Sequence, residues 1–236
     1  MTGVQACALP ISISLRYPAV ELLTALLFTA CYVSFGPALA TAKFCIFCFL
    51  LVGLIFMDAE TGLLPREFTY SGIVLGLALS WIAPTDSTAT QFFLRVYGAQ
   101  LPAQAQLALL DSAIGALVGA GFFYLAWALY YLVRKRHGLG FGDVALMAMV
   151  GAFLGLKLTL LVIFSAPLAG TVYAAFLLLA SRFRKTPEMG EELAGQTSGR
   201  EMFLAQELPF GVFLGACSLA AIFFGESIWR WYLGSF

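Results

Sequence analysis

The stretch CIFCFLLVGLIFMD, residues 45–58, decides the fold class, because an unbroken run of uncharged, mostly apolar residues ends at a single aspartate. A membrane-spanning β-strand alternates apolar and polar residues, and this stretch shows no alternation. The whole chain has the same character: 61% of its residues are hydrophobic and 11% are charged, and its mean hydropathy is +0.91. This composition lies far from that of a soluble domain and predicts an all-α integral membrane protein.

Seven segments are predicted to be membrane-spanning helices, since a helix needs about 20 mostly apolar residues to cross the hydrocarbon. They are residues 18–36, 40–57, 69–84, 109–133, 143–156, 158–181 and 208–234. The fifth segment is short, which suggests that neighbouring protein shields one of its ends. We therefore expect a polytopic bundle of about seven transmembrane helices.

The distribution of lysine and arginine predicts the orientation of these spans, because basic loops stay in the cytoplasm. One set of loops carries Arg16, Arg66, Arg134, Lys135, Arg136, Arg182, Arg184, Lys185 and Arg200. The other set carries only Lys43, Arg95, Lys157 and Arg230. The bias predicts a cytoplasmic amino terminus and, with an odd number of spans, an external carboxyl terminus.

The cysteines predict neither a metal site nor a disulfide framework. Cys45 and Cys48 form a Cys-x-x-Cys pair inside the second apolar span, with no second pair and no histidine near it, so zinc binding is disfavoured. Buried cysteines of this kind behave as small apolar residues. We expect no metal, no cofactor and no nucleic-acid partner, and we expect membrane lipid around the bundle.

Two aspartates at the ends of spans are the candidate catalytic residues, since a charge within a span costs at least ~2.5 kcal/mol and marks a functional site. Asp58 lies in the last turn of the second span, where the helix dipole opposes its charge. Asp143 begins the fifth span, where an N-cap is its alternative role. The predicted topology puts both at the cytoplasmic boundary. Two carboxylates in one site do not both ionise readily, so one serves as acid and the other as base, as in aspartyl proteases.

Three glycines precede Asp143 in the stretch GLGFGDVALM, residues 138–147. Glycine permits backbone conformations that other residues avoid and lets another chain approach closely. Such a loop suits an extended substrate beside a catalytic carboxylate. The candidate substrate-binding residues are two of these glycines, Gly140 and Gly142, and two acidic residues near Asp58, Glu60 and Glu67. The alternative for the two glutamates is that they are ordinary solvated loop residues.

Three stretches of the chain resemble motifs of the type IV prepilin peptidases, and their order makes the resemblance specific. They are FMDAETGLLPREFTYSG (56–72), GLGFGDVALMAMVGAFLG (138–155) and LPFGVFLGA (208–216). The resemblance runs from about Ile13 to the carboxyl terminus. It implies a membrane aspartyl endopeptidase with Asp58 and Asp143 as its catalytic pair. Its expected partners are type IV prepilin or pseudopilin precursors, whose basic leader it removes at the cytoplasmic boundary of the bacterial inner membrane.

The chain departs from this family at several places. Arg66 follows Leu-Pro where relatives commonly have aspartate, and Val212 follows Pro-Phe-Gly where they commonly have proline. Relatives also carry an amino-terminal domain with two cysteine pairs, which is associated with methylation by S-adenosylmethionine. Residues 1–12 do not resemble it. We therefore expect residues 1–12 to be unrelated or artefactual, residues 13–236 to form the peptidase-like membrane domain, and methyl transfer to be absent.

Two other classes of protein remain as alternatives. A proton-coupled membrane transporter also keeps paired carboxylates in a membrane, but usually near the midplane and not at one face. A catalytically inactive membrane scaffold is the second alternative. An enzyme of the prepilin peptidase type fits the placement of the two aspartates best.

The fourth span carries two further features. Gly115, Gly119 and Gly121 form a face of small residues that suits close packing within the bundle or, as the alternative, a homodimer. Asp111 lies near the predicted start of this span, at residue 109, and is expected to act as an outer-side helix cap.

Overall fold

The computed structural model describes residues 16–85, 87–98, 100–134, 140–183 and 210–234. Over these ranges the chain forms helices and no strand, which confirms the all-α prediction. The helices are α1 (Arg16–Phe35), α2 (Leu39–Thr61), α3 (Arg66–Ile82), α4 (Thr88–Val96), α5 (Gln104–Arg134), α6 (Phe141–Phe183) and α7 (Phe210–Gly234). The predictions for residues 1–12 and for Gly138 lie outside the described residues.

Five of these helices, α1, α2, α5, α6 and α7, are long and apolar enough to cross a membrane. The chain is therefore a multi-pass membrane protein. α3 has 17 residues and corresponds to the third predicted span. α6 has 43 residues, about twice the ~20 that one crossing needs.

α6 reverses its direction at Gly155, where φ is 75° and ψ is 179°. A Cβ atom on Gly119 of α5 would lie 2.7 Å from the carbonyl oxygen of Met147 and 3.1 Å from Cγ2 of Thr159. In a straight helix these two residues would be about 18 Å apart, at a rise of 1.5 Å per residue. The chain therefore folds back at Gly155, and the two halves of α6 correspond to the fifth and sixth predicted spans.

The side chain of Asp111 holds this reversal in place. Its Oδ1 accepts a hydrogen bond from Oγ1 of Thr90 at 2.5 Å, and its carboxylate also accepts the backbone N–H of Leu156. A Cβ atom on Gly155 would overlap this carboxylate. Because α5 begins at Gln104, Asp111 lies about two turns inside it. The predicted capping of α5 is therefore wrong, and Asp111 instead caps the second half of α6.

The core lies where α2, α3, α5 and α7 pack around the first half of α6. The rings of Phe47 and Phe153 stack with their centroids 4.6 Å apart and join α2 to α6. Gly115 and Gly119 of the predicted small-residue face lie directly against the α6 backbone, whereas a Cβ on Gly121 would meet nothing within 4 Å. The first two glycines therefore pack within the bundle, and the homodimer stays a prediction.

Candidate active site

Asp58 lies in the last turn of α2, where the sequence places it. The helix ends at Thr61, and Gly62 follows in the left-handed conformation with φ 62°. The Gly62 N–H donates to the carbonyl oxygen of Asp58 at 2.8 Å, which closes the end of the helix. Asp58 is only 5% exposed, so its carboxylate is enclosed by other protein atoms.

The carboxylate of Asp58 is bound by the first turn of α7. Its Oδ2 accepts the backbone N–H of Val212 at 3.0 Å, and the carboxylate also accepts the backbone N–H of Gly211. The first N–H groups of a helix have no partner within it, and they form the positive end of its dipole. The positive end of the α7 dipole thereby offsets the negative end of the α2 dipole, where Asp58 lies.

Gly211 is the residue that permits this contact. A Cβ atom at this position would lie 2.7 Å from Oδ2 and 2.9 Å from Cγ of Asp58. Both distances are shorter than an ordinary carbon contact, so a side chain here would displace the carboxylate. The close approach of α7 to Asp58 therefore requires glycine.

Asp143 lies in the first turn of α6, as its third residue. Its carboxylate accepts the backbone N–H of Gly140, and its own N–H donates to the Gly140 carbonyl oxygen at 3.1 Å. Gly140 thus holds the N-cap position, and Asp143 reaches back to it in the manner of the acid of a capping box. The N-cap role considered for Asp143 therefore belongs to Gly140, three residues earlier. The side chain is 7% exposed.

The turn after α2 and the start of α6 pack against each other. A Cβ atom on Gly142 would lie 2.9 Å from Cβ of Leu64, which is two residues after Gly62, the C-cap of α2. This contact brings the carboxyl-terminal end of α2 next to the start of α6. The charge of Asp58 then acts directly on the Asp143 carboxyl group. The two aspartates therefore belong to one site, although 85 positions separate them in the sequence.

The four candidate substrate-binding residues differ in their exposure and in how they pack near this pair. Gly140 is exposed, and a Cβ on it would lie 3.6 Å from Oδ2 of Asp143. Gly142 is taken up by its packing against Leu64, so its lack of a side chain has a structural use. Glu60 lies exposed in the last turn of α2, and Glu67 lies exposed in the first turn of α3. Their role in binding a substrate stays a prediction.

Two buried carboxylates at helix ends form the chemical core of the site. Such a pair can activate a water molecule, because one member accepts a proton while the other donates one. Among the residues that the structure describes, no three histidine, cysteine, aspartate or glutamate side chains form a group able to hold a metal ion. Cys45 and Cys48 lie in α2; Sγ of Cys48 is 3.8 Å from Sγ of Cys31, and all three are free thiols.

The two donors on α7 were not predicted from the sequence. The stretch LPFGVFLGA was recognised only as a motif, with no role for Gly211 or Val212. The available signal is a glycine in the first turn of a predicted helix, where a better helix former is expected unless another group must approach the backbone.

Comparisons with known proteins show which proteins the sequence is similar to. The profile of the type IV leader peptidase family matches residues 45–175. The prepilin leader peptidase/N-methyltransferase of Aeromonas salmonicida (strain A449) is 30% identical over 227 residues, which cover 95% of this chain and 63% of the relative. The protein of that name from Bacillus subtilis (strain 168) is 30% identical over 222 residues, or 94% of this chain and 71% of the relative. The one from Myxococcus xanthus (strain DK1622) is 34% identical over 177 residues, or 75% and 46%. No solved structure matches the chain significantly.

Proposed function

Because the chain belongs to the type IV leader peptidase family, we propose that it is a membrane aspartyl endopeptidase that removes the basic leader from type IV prepilin or pseudopilin precursors. The chain spans 63% of the length of the Aeromonas relative, so the proposal concerns the activity of the part that is present. The observation that carries it is the meeting of Asp58 and Asp143 in one site at the ends of two different helices.

The chemistry follows from the pair of carboxylates. One aspartate, ionised, takes a proton from a water molecule, and the water oxygen attacks the carbonyl carbon of the scissile peptide. The other aspartate, protonated, gives its proton to the carbonyl oxygen. When the tetrahedral intermediate collapses, the C–N bond breaks and the leaving amine takes the proton that the first aspartate had accepted. During this collapse one of the two hydroxyl groups of the intermediate returns its proton to the second aspartate and becomes the carbonyl of the new carboxyl group, so the pair ends as it began, with one aspartate ionised and the other protonated.

The location of the site supports cleavage at a membrane boundary. Asp58 is in the last turn of α2 and Asp143 is in the first turn of α6, so both lie at the ends of long apolar helices and not in their middle. A precursor with an apolar helix in the membrane would present its leader at this level. A transporter would place such carboxylates nearer the midplane.

The basic residues support a bacterial inner membrane location with the site facing the cytoplasm. Two of the four basic residues predicted to lie outside are neutralised or enclosed in the bundle: Lys157 pairs with Glu226 at 2.7 Å, and Lys43 is 0% exposed. Arg66, on the side of Asp58, is exposed. Arg95 and Arg230 are exposed on the other side, so the support is the bias of the whole sequence, in which nine of the 13 lysines and arginines fall in loops on the side of Asp58, the arrangement of a cytoplasmic face.

The test is cleavage of a defined precursor. The purified chain in lipid vesicles would be incubated with a precursor that carries a basic leader and an apolar helix, and mass spectrometry would identify the new amino terminus. We expect cleavage at the junction of leader and helix. We expect Asp58→Asn and Asp143→Asn each to abolish it, since loss of one member of a catalytic unit removes nearly the whole effect.

Two measurements make the outcome clear. Circular dichroism and membrane extraction would show that both variants insert and keep the helix content of the unmodified chain. Failure of the unmodified chain to cut, or cutting inside the apolar helix, would contradict the proposal. Substantial activity in Asp143→Asn would reduce Asp143 to a structural role at the start of α6, because the side-chain oxygen of asparagine can still accept the N–H of Gly140.

A further inference from the structure

The two aspartates of the site differ in what holds them. Asp58 receives two backbone N–H groups, those of Gly211 and Val212 in the first turn of α7. Among the described residues, Asp143 receives one, that of Gly140 at the start of its own helix. Hydrogen bonds to a carboxylate favour its charged form, and the positive end of a helix adds to this effect.

The origin of the donors also differs. Gly140 and Asp143 belong to one helix start, so their hydrogen bond forms with α6 itself. Val212 lies 154 positions from Asp58, so its bond forms only when α7 docks against α2. The orientation of the Asp58 carboxylate therefore depends on tertiary packing, with Oδ2 directed at the α7 backbone.

Few charged groups surround Asp58 in the described part of the chain. The first turn of α7 presents no charged side chain, and α6 presents Asp143. α3 begins with Arg66 and Glu67, and α2 itself carries Glu60 in the same turn; all three side chains are exposed. The backbone of α7 is thus the buried partner that opposes the repulsion from Asp143.

We infer that the first turn of α7 is a positioning element of the site: the N–H groups of Gly211 and Val212 hold Asp58 ionised and oriented, so that Asp58 is the general base. Asp143 is then the general acid. The inference rests on the proposed peptidase function for these roles. In the reaction, the proton of the attacking water passes to Asp58 and later to the leaving amine, while the proton of Asp143 passes to the peptide carbonyl oxygen.

The experiment removes one donor and leaves the rest of the site. Val212→Pro eliminates the N–H, and proline is tolerated in a first helical turn because that N–H has no partner within the helix. Val212→Ala removes the same side chain but keeps the N–H, and it is the reference for every comparison. Both are made in the full chain.

The first readout does not need activity. Infrared spectra in lipid vesicles would be recorded across pH, and the Asp58 carboxylate band would be identified as the one lost in Asp58→Asn. We expect the band to convert to the protonated form at a pH about one unit higher in Val212→Pro than in Val212→Ala, from the strength of a hydrogen bond to a charged group. Equal titration in the two variants would overturn the inference.

The second readout is the pH–rate profile of precursor cleavage. We expect the acid limb of kcat to move in the same direction in Val212→Pro, with KM close to that of Val212→Ala, because the donor acts on the base and not on the substrate. A shifted infrared titration with an unmoved acid limb would overturn the assignment of Asp58 as base. Absence of cleavage in the unmodified chain would instead count against the peptidase function, while the infrared comparison would still decide the role of α7 in holding Asp58 ionised.

A second variant covers misfolding of Val212→Pro. Gly211→Ala keeps both N–H groups, but its Cβ would lie 2.7 Å from Oδ2 of Asp58 and push the carboxylate away from the donors. We expect the Asp58 band to shift to higher pH in this variant as well. An unshifted band in correctly inserted Gly211→Ala protein would contradict the inference.

Discussion

Replacing Gly211 by alanine tests how closely α7 must approach Asp58. The added Cβ would lie 2.7 Å from Oδ2, about 0.7 Å short of the 3.4 Å at which ordinary contact begins. Either the carboxylate or the start of α7 must move by that amount. Overpacking of this kind costs about 1–3 kcal/mol of stability, and a misplacement near 1 Å at a catalytic group can cost up to about 100-fold in rate.

We therefore expect Gly211→Ala to lower kcat for precursor cleavage by about 10- to 100-fold while the chain still inserts and folds. The assay is the initial rate of leader removal over a range of substrate concentrations in lipid vesicles. Gly121→Ala is the matched control, because its Cβ would meet nothing within 4 Å. If Gly211→Ala kept more than half of the control's kcat, the contact between α7 and Asp58 would have no part in catalysis.

Three further predictions concern substrate binding, metal dependence and the stability of the chain reversal. Glu60→Gln and Glu67→Gln should each raise KM about two- to fivefold at low salt and less at high salt, because exposed ion pairs with a basic leader are weak and screened; unchanged kinetics in both would leave them as ordinary loop residues. Cleavage should proceed equally with and without a chelator, and its loss on chelation would contradict the metal-free mechanism. Asp111→Ala should lower the free energy of unfolding in detergent by about 1–3 kcal/mol, because it leaves the buried Thr90 hydroxyl and the Leu156 N–H without their acceptor; a loss no larger than that of Glu67→Ala, at an exposed position, would refute its role at the reversal.

The helices were largely predictable because the membrane imposes a simple rule on apolar length. The run at residues 45–58 predicted α2, and the short fifth segment followed at once by a sixth predicted the two halves of α6. α4 was missed, since its 9 residues are too few to span a membrane and hydropathy gives no signal for such a helix. The position of Asp111 within α5 was predicted wrongly, because hydropathy detects only the apolar part of a helix. α5 begins at Gln104, several residues before the apolar segment predicted from residue 109.

The two aspartates were predictable for a different reason. A charge at the end of an apolar span is costly, so its presence alone marked Asp58 and Asp143. The contact between Gly142 and Leu64 was not predictable, because it depends on how two loops meet. The donors on α7 were equally hidden, since a backbone N–H is present at nearly every residue and only its direction makes it part of a site.

The position of Asp58 explains why the site depends on the whole bundle. At the end of α2 alone, the ionised carboxylate would be disfavoured by up to ~1 kcal/mol by its own helix. The first turn of α7 offsets this disadvantage with the N–H of Val212 at 3.0 Å from Oδ2. The charged form of this buried carboxylate is therefore stabilised by a helix 154 positions away and not by the helix that carries it. The sequence places Asp58 at the boundary, and the docking of α7 makes it suitable to act as a base there.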